Sequence, residues 1–326
     1  MKKVLGIGNA LVDVMTPLKD DSIIEQLGFA RGSMNLVDEN KSGEIKDMTA
    51  RFASSMASGG SAANTVHGIS KMRAESGFIG AIGDDTTGKI FEKDMKAAGV
   101  ETYLCKKEDD TGTAVAMISN DGERTFATHL GAAAKLGAGD LERKVFAAYD
   151  YLYLEGYLIT DMELVEQACR YAKDEGLKVA IDLASFNVVE AYRDNFSHII
   201  DNYIDIIFAN EFEAKAFTGL DAVEALEDLS TKCEIAIVKT GASGSLIHNG
   251  NEMIKVGPMD VKSIDTTGAG DLYAAGFLYG LANNASLEKC GFFGTLLASN
   301  IIQIIGPKIK SRDWPGIREE INEKLA

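Results

Sequence analysis

The segment 264–282, IDTTGAGDLYAAGFLYGLA, places two glycines and an aspartate directly before a strongly apolar helical stretch. The first turn of a helix has N–H groups without intrahelical partners, and they lie at the positive end of the helix dipole. Gly268 and Gly270 leave that backbone open to a closely approaching anion. Asp271 follows in the same turn. A backbone anion site beside a carboxylate suits phosphoryl transfer to a hydroxyl group, in which the carboxylate accepts the hydroxyl proton.

Two structural interpretations of this segment compete with the chemical one. Asp271 could be an ordinary helix-capping residue, and the glycines could serve only the tight packing of a buried helix. The stretch LYAAGFLYGLA is apolar enough to be largely buried. A carboxylate at the mouth of such a helix either faces a cleft or costs free energy through desolvation, which favours the chemical interpretation.

The composition of the chain limits the partners that it can bind. Its 326 residues carry a formal net charge of -16, which argues against a broad basic surface for DNA or RNA. Anionic ligands would have to be held by backbone N–H groups and local charges. No apolar window reaches the roughly eighteen residues that a membrane helix needs, and the start lacks a signal-peptide cleavage site. We therefore expect a soluble cytoplasmic protein without nucleic-acid or membrane partners.

Short apolar runs alternate with longer helical patterns along most of the chain. The strand-like runs are 2–8, 76–83, 149–156, 177–183, 203–210 and 233–240. The helical patterns are 61–74, 88–99, 161–176, 210–219 and 221–230. Continuous apolar strands separated by helices are typical of a parallel sheet covered on both faces. We predict a single α/β domain over 1–326, with a doubly wound, mostly parallel sheet flanked by helices.

Two regions, 11–37 and 101–129, break this rhythm because apolar and polar residues alternate in them. The sequence NDG at 120–122 is a hairpin-turn signal. We predict that the two regions form a small β-sheet with one exposed face. Such a sheet could be a lid over a cleft, a simple edge, or the contact of a homodimer, so a monomer and a lid-mediated homodimer both remain possible.

Four motifs in this order resemble those of the ribokinase (PfkB) family of carbohydrate and nucleoside kinases. DTTGAGD (265–271) resembles the C-terminal signature and GGSAANT (59–65) the N-terminal glycine motif. NEFE (210–213) fits the N-x-x-E pattern, and KTGASG (239–244) follows a strand at the position of the nucleotide loop. The resemblance covers nearly the whole chain. It implies a ribokinase-like fold and an ATP-dependent kinase that uses Mg²⁺.

The resemblance also implies roles for residues on the phosphate side. Asp271 would be the catalytic base, and the backbone of Gly268, Ala269 and Gly270 would form the anion hole. Asn210 and Glu213 would organise Mg²⁺, its waters and the ATP phosphates, with Glu213 acting indirectly on the metal; a solvated acidic helix start is the alternative. The nucleotide-binding residues would be Thr240, Gly241, Gly244 and Thr295. Alternatively, Gly241 and Gly244 could be ordinary turn glycines, and Thr295 could belong to a helix packed in the core. Asp265 and Thr267 match positions that hold a monovalent cation such as K⁺ in some family members.

On the acceptor side, Asp13 follows the first strand, where the family uses an aspartate to grip sugar hydroxyls. A carboxylate suits this task because it accepts two hydrogen bonds from a vicinal diol. The resemblance implies that the sugar site is completed by Asn9, Gly59, Gly60 and Asn64. Taken alone, Asp13 could equally cap a loop.

The stretches GNALVDV, GGSAAN, ERTFATHLGAA and ASNII resemble the adenosine kinase branch more than ribokinase. Ser61 stands where ribokinase-type chains have a lysine. The implied reaction is phosphoryl transfer from ATP to the primary hydroxyl of a furanose sugar or nucleoside. A ribokinase, fructokinase or 2-keto-3-deoxygluconate kinase remains possible, as does a non-catalytic nucleotide or sugar sensor. The segment IDLASFN (181–187) departs from the pattern expected near the acceptor.

Overall fold

The computed structural model describes residues 1–52, 55–121 and 123–325 and contains two β-sheets. In spatial order, the large sheet consists of β14 (Met253–Val256), β13 (Ser245–His248), β12 (Ile235–Lys239), β11 (Ile206–Asn210), β10 (Lys178–Asp182), β9 (Tyr151–Glu155), β1 (Val4–Ile7), β5 (Ser76–Gly83) and β6 (Val100–Lys107). The strands from β12 to β6 are parallel, β13 is antiparallel to β12, and β14 is antiparallel to β13. The chain winds outwards from β1 in both directions, which confirms the predicted doubly wound, mostly parallel sheet.

The small sheet has the order β3 (Met34–Leu36), β8 (Arg124–Gly131), β7 (Thr111–Ile118), β2 (Leu11–Pro17) and β4 (Ser55–Gly59). Its central pair, β2 and β7, is parallel, and β7 is antiparallel to β8. The predicted small sheet therefore exists. The hairpin signal at 120–122 lies between β7 and β8, but Gly122 is outside the described residues.

Helices pack on both faces of the large sheet, and the first two helices of the chain pack on the small sheet instead. They are α1 (Ser22–Leu27), α2 (Glu39–Thr49), α3 (Ser61–Lys71), α4 (Thr86–Ala98), α5 (Arg143–Phe146), α6 (Met162–Asp174), α7 (Phe186–Ala191), α8 (Arg193–Tyr203), α9 (Glu211–Thr218), α10 (Ala222–Ser230), α11 (Ala269–Ala282), α12 (Leu287–Ile301) and α13 (Trp314–Leu325). One core lies under α3, α4, α11, α12 and α13, and the other lies under α6, α8, α9 and α10. Consecutive strand residues serve opposite cores, as Tyr153 and Leu154 do. No described helix has the length and apolar character to span a membrane.

Part of the second region predicted for the small sheet belongs to the large one. Residues 101–107 lie in β6, which pairs with β5 along its whole length. The prediction for residues 101–107 was wrong because β6 is an edge strand of the large sheet. Its side chains are partly solvated, which produces alternation of apolar and polar residues although the sheet is largely buried. The small sheet instead takes its second edge from β4, which the sequence pattern did not mark as a strand.

Helix α11 is buried between α3 and α12, and this burial fixes the position of the GAGD turn at its start. A Cβ atom at Gly276 would collide with the backbone carbonyl of Phe293 and lie 2.7 Å from the backbone nitrogen of Gly294. A Cβ atom at Gly68 of α3 would lie 2.9 Å from that of Ala275. These glycines let the helix backbones approach closely. The tight packing that the sequence suggested for the glycines of the GAGD turn is therefore found at glycines inside α11 and α3.

We expect Gly276→Ala to lower the free energy of unfolding by about 1–3 kcal/mol, because the added methyl group must displace the α12 backbone. The matched control is Gly43→Ala in α2, where Gly43 is exposed and nothing lies within 4 Å of an added Cβ atom. That change should leave stability unchanged or raise it by up to about 1 kcal/mol. Urea unfolding measures both; equal effects at the two positions would contradict the packing argument.

Candidate active site

The carboxyl edge of the large sheet collects charged and polar side chains from neighbouring strands. The parallel strands β9, β10, β11 and β12 end in Glu155, Asp182, Asn210 and Lys239. The strand register pairs Asp182 with Glu155 and Asn210 with Lys239. Helices α9 and α11 begin at this edge, so the N–H groups of their first turns lie there. Open α/β sheets bind their ligands at this edge, and the GAGD turn lies there too.

The carboxylate of Asp271 is held by side chains of α3. Ser61 Oγ donates to Oδ1 over 2.7 Å, and Asn64 Nδ2 donates to Oδ2 over 2.9 Å. Burial raises the pKa of Asp271 to about 6, although these two hydrogen bonds lower it and nearby Asp182 raises it further. Asp271 itself is only half-buried. Because its oxygens bind another helix, Asp271 is not the simple capping residue that the alternative interpretation required.

The turn before α11 presents free N–H groups. Ala269 N–H bonds to the carbonyl of Thr266 over 3.1 Å. Within the described residues, the N–H groups of Gly268, Gly270 and Asp271 have no acceptor. Gly268 has φ 76°, a left-handed conformation that glycine adopts without strain. The available donors therefore include the N–H group of Asp271 itself, whereas that of Ala269, for which the family resemblance implied a place in the anion hole, already has a partner.

The guanidinium group of Arg124, at the start of β8, contacts the DTTGAGD segment from the small sheet. Its Nη2 lies 2.6 Å from Asp265 Oδ2, and its Nη1 donates to Thr267 Oγ1 over 3.1 Å. The Asp265 carboxylate also accepts from the N–H groups of Thr267 and Gly306, each over 3.0 Å. The side chains of Arg124 and Asp265 are both 5% exposed. The oxygens expected to hold a monovalent cation are thus already paired with a cationic side chain, and they do not fit an added ion in this arrangement.

Asp13 lies in β2, which pairs with β4, and its carboxylate lies beside Gly59 at the end of β4. A Cβ atom at Gly59 would lie 2.5 Å from the Asp13 carboxylate. A Cβ atom at Gly60 would collide with the Asn9 carbonyl, and Gly60 has φ 95°. Burial raises the pKa of Asp13 to about 7, while Lys308 and Arg124 lower it. The glycines are therefore needed where they stand, because Asp13 and the backbone of Asn9 occupy the adjacent space.

The side chain of Asn9 is engaged with Glu155, which the sequence did not identify as a site residue. Asn9 Nδ2 donates to Glu155 Oε1 over 2.6 Å, and the N–H group of Ala62 donates to Oε2 over 3.1 Å. Glu155 is buried, and burial raises its pKa to about 7. Asn64 of the same glycine motif holds Asp271, and its buried Oδ1 has no partner among the described residues. Asn64 thus has an acceptor atom free beside the carboxylate.

Asn210 and Glu213 form a reciprocal capping box at the start of α9. The N–H group and Nδ2 of Asn210 donate to Glu213, over 2.7 and 2.5 Å, and Asn210 Oδ1 accepts from the N–H group of Glu213 over 2.9 Å. Glu213 is 3% exposed, so the alternative of a solvated acidic helix start is wrong. Burial raises its pKa to about 7. Both Glu213 oxygens are occupied, which fits an indirect rather than a direct metal contact.

The nucleotide-loop residues form a tight turn after β12. Thr240 donates through its N–H group and Oγ1 to the carbonyl of Gly244, over 2.9 and 3.0 Å. Gly241 and Gly244 have φ values of 54° and 92°. A Cβ atom at Gly244 would collide with the Val256 carbonyl. The turn alone thus requires Gly244, and the nucleotide roles of Thr240, Gly241 and the buried Thr295 of α12 stay predictions.

The structure brings together the predicted residues of the GAGD, GGSAAN and N-x-x-E motifs and adds residues that the motifs did not indicate. These additions are Glu155, Asp182, Arg124, Lys239 and Lys308. Lys308 contacts Ser58 Oγ and lies 3.2 Å from Asp94 Oδ2, near Asp13. The sequence offered a signal for three of them, because Lys239 opens the KTGASG motif, Asp182 lies in IDLASFN and Arg124 lies in ERTFATHLGAA.

Comparison with known proteins agrees with this arrangement. Residues 34–314 match the family model described as pfkB family carbohydrate kinase. The chain is 27% identical to an adenosine kinase of Schizophyllum commune, over 97% of this chain and 98% of that protein. Its structure is similar to that of a probable sugar kinase from Rhizobium etli, with a TM-score of 0.90, 33% identity, and coverage of 100% of this chain and 99% of the other.

A second solved structure, the adenosine kinase from Sinorhizobium meliloti, has a TM-score of 0.89 and 35% identity, and covers 99% of each chain. The family model spans most of the chain, and both structures match over nearly their full length. The chain therefore belongs to the pfkB family of carbohydrate kinases, and it is a kinase.

Proposed function

We propose that this kinase transfers the γ-phosphoryl group of ATP to the primary hydroxyl of a furanose-bearing acceptor, with adenosine as the preferred acceptor. The observation that carries the proposal is the position of Asp271, held by Ser61 and Asn64 beside three free N–H groups. The similarity to adenosine kinases from Schizophyllum commune and Sinorhizobium meliloti supports a nucleoside acceptor. Similarity to the probable sugar kinase of Rhizobium etli leaves a sugar kinase as the second candidate.

Asp271 is suited to remove the proton of the acceptor hydroxyl. With a pKa of about 6, it is ionised at neutral pH yet basic enough to accept a proton as the new bond forms. The unpartnered Oδ1 of Asn64 provides a second acceptor beside it, which would orient the hydroxyl group. The hydroxyl oxygen then attacks the γ-phosphorus as the bond to the bridging oxygen of ADP breaks.

The N–H groups of Gly268, Gly270 and Asp271 would bind the oxygens of the transferring phosphoryl group. Asn210 and Glu213 would act on Mg²⁺ through its waters. When bound, the metal neutralises phosphate charge. Asp13 would accept hydrogen bonds from the acceptor's vicinal hydroxyls, for which its buried carboxylate and the close Gly59–Gly60 backbone are arranged.

The acceptor is tested by an ATP-coupled panel of adenosine, other nucleosides, ribose, fructose and 2-keto-3-deoxygluconate. We expect the highest kcat/KM for adenosine, because the motif resemblance and the named relatives both point to nucleosides. A higher kcat/KM for any of the sugars would contradict adenosine as the acceptor and favour the sugar kinase. Binding without turnover of any acceptor would support the sensor alternative.

In the same assay, Asp271→Asn should lower kcat by about 10²- to 10⁴-fold, because the amide cannot accept the proton. The acceptor Kd should change little, since Ser61 and Asn64 can still hydrogen-bond to the amide. Near-normal turnover with intact acceptor binding would contradict the role of Asp271 as base.

The pH profile provides an independent test of Asp271. Activity requires the ionised carboxylate, so kcat/KM, which reports the pKa values of the free enzyme, should fall as the pH drops through about 6. Ser61 lowers this pKa by hydrogen bonding to the charged form. Ser61→Ala should therefore raise the midpoint of the acid limb by up to about one pH unit. An unchanged midpoint would assign the limb to another group, such as Asp13.

The contacts of Arg124 lead us to propose that turnover needs no K⁺. Burial lowers the pKa of Arg124, yet Asp265 and Asp13 favour its charged form, and a guanidinium group remains charged at neutral pH. Its positive charge lies on the oxygens of Asp265 and Thr267, where some family members hold a monovalent cation. The protein would thus supply this charge from its own small sheet.

We expect kcat/KM to be the same in K⁺ and in tetramethylammonium chloride at constant ionic strength. Arg124→Met should lose activity and regain part of it on addition of K⁺, because the Asp265 carboxylate then lacks its partner. Binding of K⁺ to this variant can also be followed as a rise in Tm. Strong activation of the unmodified protein by K⁺ would contradict the proposal.

A further inference from the structure

Lys239 is a half-buried lysine at the end of β12, and the motif resemblance assigns it no role. Its Nζ donates to Asp182 Oδ2 over 2.8 Å, and the two side chains are 15% and 9% exposed. Asp182 ends β10 and belongs to IDLASFN, the segment that departs from the expected pattern. The pair joins two strands that are separated by β11. Asp182, which lies in the segment that departs from the family pattern, is therefore paired with Lys239 at the start of the nucleotide-loop motif.

The charge of Lys239 is set by carboxylates around it. Burial lowers the pKa of the amine, but the charges of Asp182, Glu213 and Asp271 favour the ammonium form, and the pKa is raised above its ordinary value. The lysine is therefore protonated at neutral pH. Its positive charge lowers the pKa values of Glu213 and Asp271 in turn. Lys239 thus belongs to the electrostatic surroundings of the catalytic base.

The position of Lys239 relative to the anion hole is defined by Gly270. A Cβ atom at Gly270 would lie 3.2 Å from Lys239 Nζ, so the ammonium group lies against the turn whose N–H groups are free. An ammonium group has three N–H donors. Asp182 takes one, and no other acceptor for Nζ exists in the described part of the chain. Two charged donors therefore remain beside the N–H group of Gly270.

We propose that Lys239 is a further catalytic residue, whose ammonium group binds the transferring γ-phosphoryl oxygens together with the free N–H groups, while Asp182 positions it. The inference rests on the proposed phosphoryl transfer. The bond from the γ-phosphorus to the bridging oxygen breaks, the bond to the acceptor oxygen forms, and the hydroxyl proton goes to Asp271. Lys239 stays protonated throughout and contributes charge alone.

A purely structural ion pair predicts a different result from a phosphate ligand. A structural pair would affect folding and all nucleotides alike. A side chain that binds the γ-phosphate would instead affect the binding of a triphosphate and leave the binding of a diphosphate unchanged. We therefore compare the Kd of a non-hydrolysable ATP analogue, AMP-PNP, with that of ADP by calorimetry, in the presence of Mg²⁺.

Lys239→Met should weaken AMP-PNP binding by about 10- to 100-fold, the effect of losing a charge-assisted hydrogen bond, and leave ADP binding nearly unchanged. It should lower kcat at least as much, with little change in the acceptor KM. Lys239→Arg should restore part of both, because it keeps the charge. Equal losses for AMP-PNP and ADP, or no loss for either, would overturn the assignment.

Two further variants keep the test informative if Lys239→Met is unstable. Asp182→Asn combined with Lys239→Met removes both charges, so no carboxylate is left without its partner. The double variant should fold and, relative to the unmodified protein, bind AMP-PNP more weakly while its Kd for ADP stays nearly unchanged. An unchanged Kd for AMP-PNP in this double variant would overturn the role of Lys239. The matched control is Lys107→Met, which removes a lysine from the end of β6 that bonds to Asp140 over 2.7 and 2.8 Å. It should leave both Kd values unchanged, and selective loss of AMP-PNP binding in this control would overturn the assignment.

The failure of this inference can be told apart from failure of the proposed function. If the unmodified protein transfers no phosphoryl group to any acceptor, the proposed function fails. If it transfers phosphoryl and the Lys239 variants keep the kcat and the AMP-PNP Kd of the unmodified protein, only the role of Lys239 fails.

Discussion

The contact between α3 and α11 is the interaction on which the geometry of the site depends. Ser61 and Asn64 of α3 hold the carboxylate of Asp271, while the N–H group of Ala62, in the same turn, holds Glu155 at the end of β9. One helix start thus ties the base to the sheet. The close approach of α3 and α11, which Gly68 permits, is what places these short hydrogen bonds within reach. The packing of α3 against α11 therefore also determines the position of the Asp271 carboxylate.

The site contains positive charges, although the protein as a whole is strongly negative. The chain carries a net charge of -16, which repels an anionic nucleotide at long range. Three cationic side chains, Arg124, Lys239 and Lys308, nevertheless lie among the carboxylates of the site. Burial raises the pKa values of these carboxylates, so each nearby cation lowers the cost of keeping them ionised. Local charge and free N–H groups replace the positive surface that the chain lacks.

Local patterns were sufficient to predict the fold and the positions of the motifs. The strand runs predicted for β1, β5, β9, β10, β11 and β12 are all present, because parallel strands buried on both faces need continuous apolar sequence. The edge strand β6 was misassigned for the opposite reason, since partial solvation produces alternation. The partners of the motif residues were not predictable. Arg124 and Thr267 are 143 residues apart, and nothing local to either indicates the other.

The anion-hole assignment shows the same limit on a smaller scale. The family resemblance implied the backbone of Gly268, Ala269 and Gly270. In the structure, the N–H group of Ala269 closes a turn with Thr266, and that of Asp271 is free instead. Sequence identifies the turn, but only the hydrogen-bond pattern identifies which of its donors are available.

The small sheet is tied to the phosphate side by an ion pair whose energetic contribution is limited by desolvation. Arg124 and Asp265 are both nearly inaccessible to solvent, and burying such a pair costs about as much as the attraction returns. If the small sheet moved away, both groups would be hydrated again, so the pair adds little to the stability of the closed arrangement. It does define that arrangement, because the guanidinium group of Arg124 contacts Asp265 and Thr267 at the same time. Apolar burial contributes to holding the small sheet in place instead, because Val12 of β2 lies in the core under α3 and α4. The ion pair therefore orients the small sheet on the DTTGAGD segment, while apolar packing supplies stabilising free energy.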